Sequence, residues 1–270
     1  MLSLQLAHQL VNKHVLLVGC GNVGMTRVLK LIPTGCKLTI VSPSYEKELN
    51  EFLPKSSDGS NVELPEDFIN HDWTPEIGQI YRLLHREFQD SDIKLHRFEI
   101  VLTCIPNETL STHIYKLCKL GDGAGVLCNV ADVPTRCDFY FGSNCLLGNN
   151  GLQVMISSNG VSPTLTTLLK QDIVDKYGDL DWDEMCRRLG NLRAKVRELS
   201  SQMTGTSKAE VIKYRMEWVK KVTSTFGISG CSKMNVDKLC SLFETMALQG
   251  PGKTSLDFPE TLKDDYTSLA

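Results

Sequence analysis

Three glycines near the amino end have the Gly-x-Gly-x-x-Gly spacing that suits phosphate binding. They are Gly19, Gly21 and Gly24. The first glycine permits a tight turn, the second lets the backbone approach a pyrophosphate, and the third allows close helix–strand packing. The helix that follows would present its first N–H groups, at Asn22 and Val23, to the phosphates. An ordinary glycine turn in a domain that binds nothing is the alternative.

The elements around this loop favour the binding interpretation. The apolar run 14–18 predicts a strand, residues 22–32 a helix, and residues 37–41 a second strand that ends at Ser42 and Pro43. This order describes a dinucleotide-binding βαβ unit. The acidic residue that usually contacts the ribose at the end of the second strand is missing, and Ser42 and Pro43 occupy its place. Since no arginine follows the strand either, we expect NAD rather than NADP.

A carboxylate that can exchange protons follows a later strand. Asp132 closes the run 128–132, at the strand edge where open α/β sheets bind ligands. A carboxylate beside a nicotinamide can accept a proton while a hydride leaves the substrate. Position alone favours a turn or capping aspartate, and Asp138 is a competing carboxylate. Thr103 and Pro106, at the end of another strand, are expected to contact the cofactor through their backbone, with plain loop structure as the alternative.

Strands and helices alternate in the first half of the chain. Residues 98–105 predict a buried strand, residues 108–120 a helix capped by Asn107, and residues 126–130 another strand. This alternation predicts an α/β domain with a Rossmann-type parallel sheet. Residues 77–88 have apolar positions at helical spacing, which predicts a further helix.

The pattern changes after Asp132. Residues 138–141 and 152–157 predict an antiparallel pair around the turn 148–151, at or beyond the sheet edge. From Ser162, a predicted N-cap, the chain shows helical periodicity. The first of these helices carries an apolar stripe, and a later one begins with the capping box Ser207 and Glu210. The stripe consists of Leu165, Leu168, Leu169 and Ile173.

Composition excludes several classes of protein. The 270 residues have a formal net charge of −3, which argues against nucleic-acid binding. No apolar run is long enough to span a bilayer, and the first residues lack the features of a signal peptide. The ten cysteines form no C-x-x-C pair and no cluster with zinc spacing, so we expect free thiols and no metal site. A reduced, cytoplasmic protein fits these features.

Four stretches together resemble one known family. They are residues 18–24, residues 41–43, residues 129–132 with 137–141, and residues 156–163. In this order they resemble siroheme synthase, and more closely the fungal bifunctional precorrin-2 dehydrogenase and sirohydrochlorin ferrochelatase of the methionine pathway. A generic Rossmann enzyme would share only the first stretch.

The resemblance implies two reactions. NAD takes a hydride from precorrin-2 to give sirohydrochlorin, and ferrous iron, a substrate, is then inserted to give siroheme. The family aspartate that matches Asp132 takes part in both steps. A dehydrogenase without chelatase activity, or a non-catalytic NAD-sensing module, is the alternative.

The resemblance also implies a homodimer and three parts of the chain. We expect an NAD-binding Rossmann domain over residues 1–148, a small dimerisation region over 149–180, and an α-helical C-terminal domain over 181–270.

Overall fold

A mostly parallel sheet occupies the amino-terminal half of the chain. The computed structural model describes residues 3–55, 64–120, 125–149, 152–203, 207–248 and 256–268. The chain divides into two units, Met1–Phe141 and Gly142–Ala270. Within the described part of the first unit the strands are β1 (His14–Cys20), β2 (Lys37–Tyr45), β3 (Asp67–Ile69), β4 (Arg82–Leu84), β5 (Phe98–Thr103) and β6 (Leu127–Val130).

The sheet has the order β3-β4-β2-β1-β5-β6, and only β3 is antiparallel to its neighbour. Two helices connect the parallel strands, α1 (Asn22–Leu31) after β1 and α2 (Glu108–Lys119) after β5. The Asn107 side chain accepts a hydrogen bond from the backbone of Leu110, so its predicted N-cap role is confirmed. The predicted α/β fold class is likewise confirmed.

Both faces of this sheet are covered. In β1, Val15 and Leu17 belong to one apolar cluster while Leu16 and Val18 belong to another, because successive strand residues project to opposite faces. Helix α1 contributes to the first cluster and α2 to the second. Burial on both faces explains why the strands are continuously apolar instead of alternating.

The prediction of a helix over residues 77–88 is wrong. This segment contains β4, which pairs in parallel with β2. Ile80 and Leu83 lie in the first cluster and Leu84 in the second. Their spacing imitates one face of a helix, but a strand buries the adjacent pair Leu83 and Leu84 on opposite sides of the sheet.

The predicted antiparallel pair forms, with a different first strand. It joins β7 (Ser143–Leu147) to β8 (Leu152–Ile156) as a separate two-stranded sheet. In the turn between them, Asn150 and Gly151 lie outside the described residues, and Gly148 has a φ of 78°.

Residues 138–141 are not a strand, because they are tied back to β6. The Asp138 N–H donates to Cys128 O across 2.8 Å, and Asn129 Nδ2 donates to Phe139 O across 2.8 Å. The Phe139 and Phe141 rings pack against the first apolar cluster.

The second unit is otherwise helical, as predicted. Its described helices are α3 (Pro163–Tyr177), α4 (Trp182–Ser201), α5 (Lys208–Gly230), α6 (Val236–Leu248) and α7 (Leu262–Asp265). Ser162 caps α3, and Ser207 with Glu210 forms the capping box of α5. The core of this unit contains Trp218, Phe226 and Phe243, all fully buried.

The predicted apolar stripe of α3 is largely exposed to solvent in this single chain. Leu165, Leu168 and Leu169 are 62%, 60% and 47% exposed, whereas Ile173 packs against the helical core. Across the described residues, no helix is both long enough and apolar enough to cross a membrane.

Candidate functional site

Two glycines of the loop are required by packing. Gly19 has a φ of 88°, and a Cβ placed there would lie 2.5 Å from Ile105 Cγ2 and 2.6 Å from Cys104 O. A Cβ on Gly24 would lie 2.4 Å from Gly19 O. These glycines therefore let β1, α1 and the end of β5 approach one another closely.

Gly21 has no such structural reason. Its φ of −75° suits any residue, and a Cβ built there meets no atom within 4 Å. The missing side chain instead leaves open space at the start of α1. Gly21 is also the N-cap of α1 without a side-chain cap, and the first turn contains no acidic residue. The exposed residues Asn22 and Val23 begin this turn, so the helix terminus can bind an anion through their N–H groups.

Ser42, near the end of β2, is buried and hydrogen-bonded to the glycine loop. It is 3% exposed, and its Oγ accepts from the Cys20 N–H across 3.0 Å and donates to Ser44 O across 2.5 Å. The Ser42 hydroxyl is thus already engaged in shaping the loop. Pro43 is exposed, and β2 continues past both residues to Tyr45 instead of ending at them.

The end of β5 connects the loop to the strand that precedes Asp132. The Cys104 N–H donates to Val18 O across 2.8 Å, and the Ala131 N–H donates to Thr103 O across 2.9 Å. Thr103 is fully buried within this ladder, whereas Pro106 is exposed at the edge. Because β1, β5 and β6 are adjacent and parallel, the glycine loop and Asp132 lie at the same edge of the sheet.

Asp132 has an unusual backbone conformation. Its φ is 60°, in the left-handed region that L-residues other than Asn and Asp seldom adopt. The residue is exposed, and within the described ranges no hydrogen bond or ion pair engages its carboxylate. Residues other than glycine in the left-handed region are concentrated at functional sites. The geometry therefore presents a carboxylate that is free to act on a bound molecule.

Asp138, the competing carboxylate, has a structural environment. Its Oδ2 accepts from the backbone N–H of Cys128 across 2.6 Å and from the ammonium of Lys119. These contacts hold the segment that follows Asp132 against β6 and the end of α2. The carboxylate of Asp138 therefore has a structural role, because it fixes the end of the loop that contains Asp132.

Two thiols near this edge are poor acids. Burial is the main reason that the pKa of Cys20 is raised to about 12 and that of Cys104 to about 11. Both thiols therefore favour the protonated form at neutral pH, which is the less reactive form toward electrophiles and metals. Among the described residues, no three His, Cys, Asp or Glu side chains form a group that could hold a metal ion.

Arg27 is a charged residue of this region that sequence reasoning missed. Its guanidinium lies over the Phe141 ring, with Cζ 4.5 Å from the ring centroid. Its charge lowers the pKa of the Cys104 thiol, opposing burial, while the charge of Asp132 raises it. Arg27 and Asp132 therefore both act electrostatically at the end of β5. An arginine on the helix after the glycine loop was the available signal.

Comparison with known proteins extends over nearly the whole chain. Three family profiles match it: "Putative NAD(P)-binding" over residues 6–143, "Sirohaem biosynthesis protein central" over 149–176, and "Sirohaem biosynthesis protein C-terminal" over 181–250. A siroheme biosynthesis protein of Saccharomyces cerevisiae is 40% identical over 279 residues, which cover 98% of each chain. The chain belongs to the siroheme biosynthesis protein family.

Less similar relatives of the chain are siroheme proteins as well. A siroheme biosynthesis protein of Schizosaccharomyces pombe is 27% identical, over 97% of this chain and 87% of the relative. The siroheme synthase of Tolumonas auensis is 26% identical over 62% of this chain, which corresponds to 29% of that longer protein. The solved structure of SirC, a precorrin-2 dehydrogenase, has the same fold, with a TM-score of 0.53 and 18% identity over 91% of this chain and 100% of SirC.

Proposed function

We propose that the chain oxidises precorrin-2 to sirohydrochlorin with NAD and then inserts ferrous iron to give siroheme. The observation that carries the proposal is that one sheet edge holds both an open phosphate cradle at Gly21 and the unengaged carboxylate of Asp132, on left-handed backbone. Membership of the siroheme biosynthesis family supplies the substrate class. The cradle would hold NAD, and the carboxylate would act on a tetrapyrrole bound beside it.

The residues of the loop fit the pyrophosphate of NAD. The position of a Cβ on Gly21 is open, and the N–H groups that start α1 have no side-chain cap. We assign binding of the pyrophosphate to the open backbone at Gly21 and the N–H groups of Asn22 and Val23, in a loop whose close packing depends on Gly19 and Gly24. Ser42 and Thr103 are buried at the strand ends next to this loop, while Pro43 and Pro106 are exposed there.

NAD, when bound, supplies the hydride acceptor. Oxidation of precorrin-2 removes two hydrogens, one as hydride and one as a proton, and we assign the proton to the Asp132 carboxylate. Iron insertion displaces two protons from pyrrole nitrogens, and the same carboxylate can receive them in turn. Ferrous iron enters as substrate, so the proposal requires no resident metal site.

Incubation of the purified chain with precorrin-2 and NAD under anaerobic conditions tests the first reaction. We expect equal amounts of sirohydrochlorin and NADH, and a folded sample that forms no NADH would overturn the dehydrogenase. Ferrous iron is then added, with a protein-free sample as control. Insertion no faster than in that control would leave a dehydrogenase without chelatase activity.

We also propose a homodimer that forms through residues 149–180, between a Rossmann domain over 1–148 and a helical domain over 181–270. The support is the exposed row Leu165, Leu168 and Leu169 on α3, since a monomer seldom leaves adjacent leucines in water. A cytoplasmic location is part of the proposal, supported by ten cysteines that are all free.

A further inference from the structure

The end of β2 contains an irregularity that faces the glycine loop. Val18 pairs with Val41, but the next pair is Cys20 with Tyr45, so residues 42–44 face the single residue Gly19. A bulge of this kind adds residues to one strand without extending its partner. The residue at the carboxyl end of β2 therefore comes later in the sequence than the usual spacing from the glycine loop predicts.

Glu46 is the residue that follows this displaced strand end. Its backbone N–H donates to Cys20 O across 3.2 Å, which fixes it beside the middle of the glycine loop. The charge of its carboxylate also acts on the Cys20 thiol, since it adds to the effects of burial and of Cys104 in raising the pKa of that thiol. Glu46 thus lies at the strand end, the position that the spacing from the glycines gives to Ser42 and Pro43.

The Glu46 carboxylate has no engagement within the described residues. Glu46 is the N-cap of the 3-10 turn Lys47–Phe52, but its side chain makes no capping hydrogen bond. No ion pair in the described ranges includes it. The cation Arg86, just beyond β4, is instead paired with Asp92 through two hydrogen bonds, of 2.8 and 2.7 Å. The half-buried Glu46 carboxylate is therefore available to a ligand.

Three other side chains at this strand end are less suited to bind a ribose. The hydroxyl of Ser42 is buried and already both accepts and donates, and Pro43 has no polar side-chain atom. The Tyr45 ring is near the His85 ring, with centroids 5.4 Å apart, beyond the end of β4. Glu46 is then the first carboxylate at the carboxyl end of β2.

We propose that Glu46 accepts a hydrogen bond from the 2′-hydroxyl of the adenosine ribose and thereby makes the chain select NAD over NADP. A carboxylate at this end of the second strand binds the ribose hydroxyl and repels a 2′-phosphate. The inference rests on the proposed function only in requiring that the glycine loop bind a dinucleotide.

Calorimetric titration of the intact chain with NAD and with NADP, without tetrapyrrole, tests the assignment. We expect wild-type protein to prefer NAD, and Glu46→Gln to weaken NAD binding about tenfold and to strengthen NADP binding, since loss of a charge-assisted hydrogen bond has about this effect. Glu48→Gln, which alters an exposed carboxylate two residues further on, is the matched control and should preserve both affinities. Glu46→Asp should retain most of the preference for NAD, which provides a second variant if Glu46→Gln folds poorly.

Three results would overturn the inference. An unchanged ratio of the two affinities in Glu46→Gln removes Glu46 from recognition and leaves the proposed function intact. A ratio that changes in Ser44→Ala but not in Glu46→Gln assigns the ribose contact to Ser44. Wild-type protein that binds neither dinucleotide overturns the dehydrogenase proposal, and this inference with it.

Discussion

The backbone N–H of Cys20 donates a hydrogen bond to Ser42 Oγ across 3.0 Å, which joins the middle of the glycine loop to the end of β2. Cys20 is 0% exposed and Ser42 is 3% exposed, so bulk water cannot replace this bond. The shape of the loop is therefore set by the folded chain before any ligand arrives, which lowers the ordering cost of binding.

Replacing Ser42 by alanine should weaken both the fold and the loop. The Cys20 N–H would remain buried without its acceptor, at a cost of roughly 1–3 kcal/mol in the free energy of unfolding. Binding of NAD should weaken as well, because the loop loses its support. Denaturant unfolding and calorimetric titration measure the two effects. Ser44→Ala, at an exposed neighbour, is the control for stability, and an equal loss of stability in both variants would contradict the role of the buried hydroxyl.

Substitutions at the glycines should separate ligand binding from packing. Gly21→Asp places a carboxylate in open space at the α1 terminus, so we expect a stable protein that loses NAD binding and precorrin-2 oxidation but retains iron insertion. Gly24→Ala places a Cβ against Gly19 O, so we expect a loss of roughly 1–3 kcal/mol of stability. Thermal unfolding and the two activity assays distinguish these results. Equal loss of both activities in a folded Gly21→Asp would mean that the loop has only a structural role.

Two substitutions of Asp132 should separate its carboxylate from its backbone. Asparagine tolerates a φ of 60° as aspartate does, so Asp132→Asn should fold normally, bind NAD and lose at least about a hundredfold in turnover. Asp132→Ala should show the same loss of turnover and an added decrease of about 1 kcal/mol in stability. Steady-state kinetics and unfolding measurements provide the comparison. Near-normal turnover in Asp132→Asn would exclude proton transfer by this residue.

Local sequence patterns were sufficient for much of the first unit. The run before Gly19, the glycines and the N-cap Asn107 each act within a few residues, and the structure has the strand, turn and helix they predict. The strand β4 could not be found in this way, because Leu83 and Leu84 are buried by segments distant in sequence. The bulge opposite Gly19 and the left-handed backbone of Asp132 also depend on strand pairing, which no short pattern records.

The exposed leucines of α3 predict that one substitution will weaken association of the chain with itself. Leu168 is 60% exposed, and a glutamate there should cost the isolated chain little while placing a charge in the proposed interface. We expect Leu168→Glu to raise the dimer dissociation constant at least about tenfold in sedimentation experiments. Leu29→Glu, at a leucine of α1 that is 57% exposed, is the matched control. A wild-type chain that stays monomeric, or two variants with equal dissociation constants, would contradict the interface.

Two histidine rings at the amino edge of the sheet should make stability depend on pH. The His14 and His96 rings are stacked with centroids 4.0 Å apart, and the buried atoms His14 Nδ1 and His96 Nε2 have no hydrogen-bond partner among the residues that the structure describes. Burial, with the neighbouring charges of His96 and Lys37, lowers the pKa of His14 from 6.5 to about 4. Burial, with the charges of Arg82 and Lys37, also lowers the pKa of His96.

Because both rings bind protons less readily in the folded chain, their contribution to stability is complete above about pH 6.5. The contribution falls as the pH decreases toward 4, since the unfolded chain binds more protons over this range. His14→Phe removes one titrating ring, so its free energy of unfolding should change less between pH 7 and pH 4 than that of the wild type. His71→Phe, at an exposed histidine, should keep the wild-type dependence. Denaturant unfolding at several pH values tests this, and parallel curves for His14→Phe and the wild type would show that the stacked rings do not control the pH dependence.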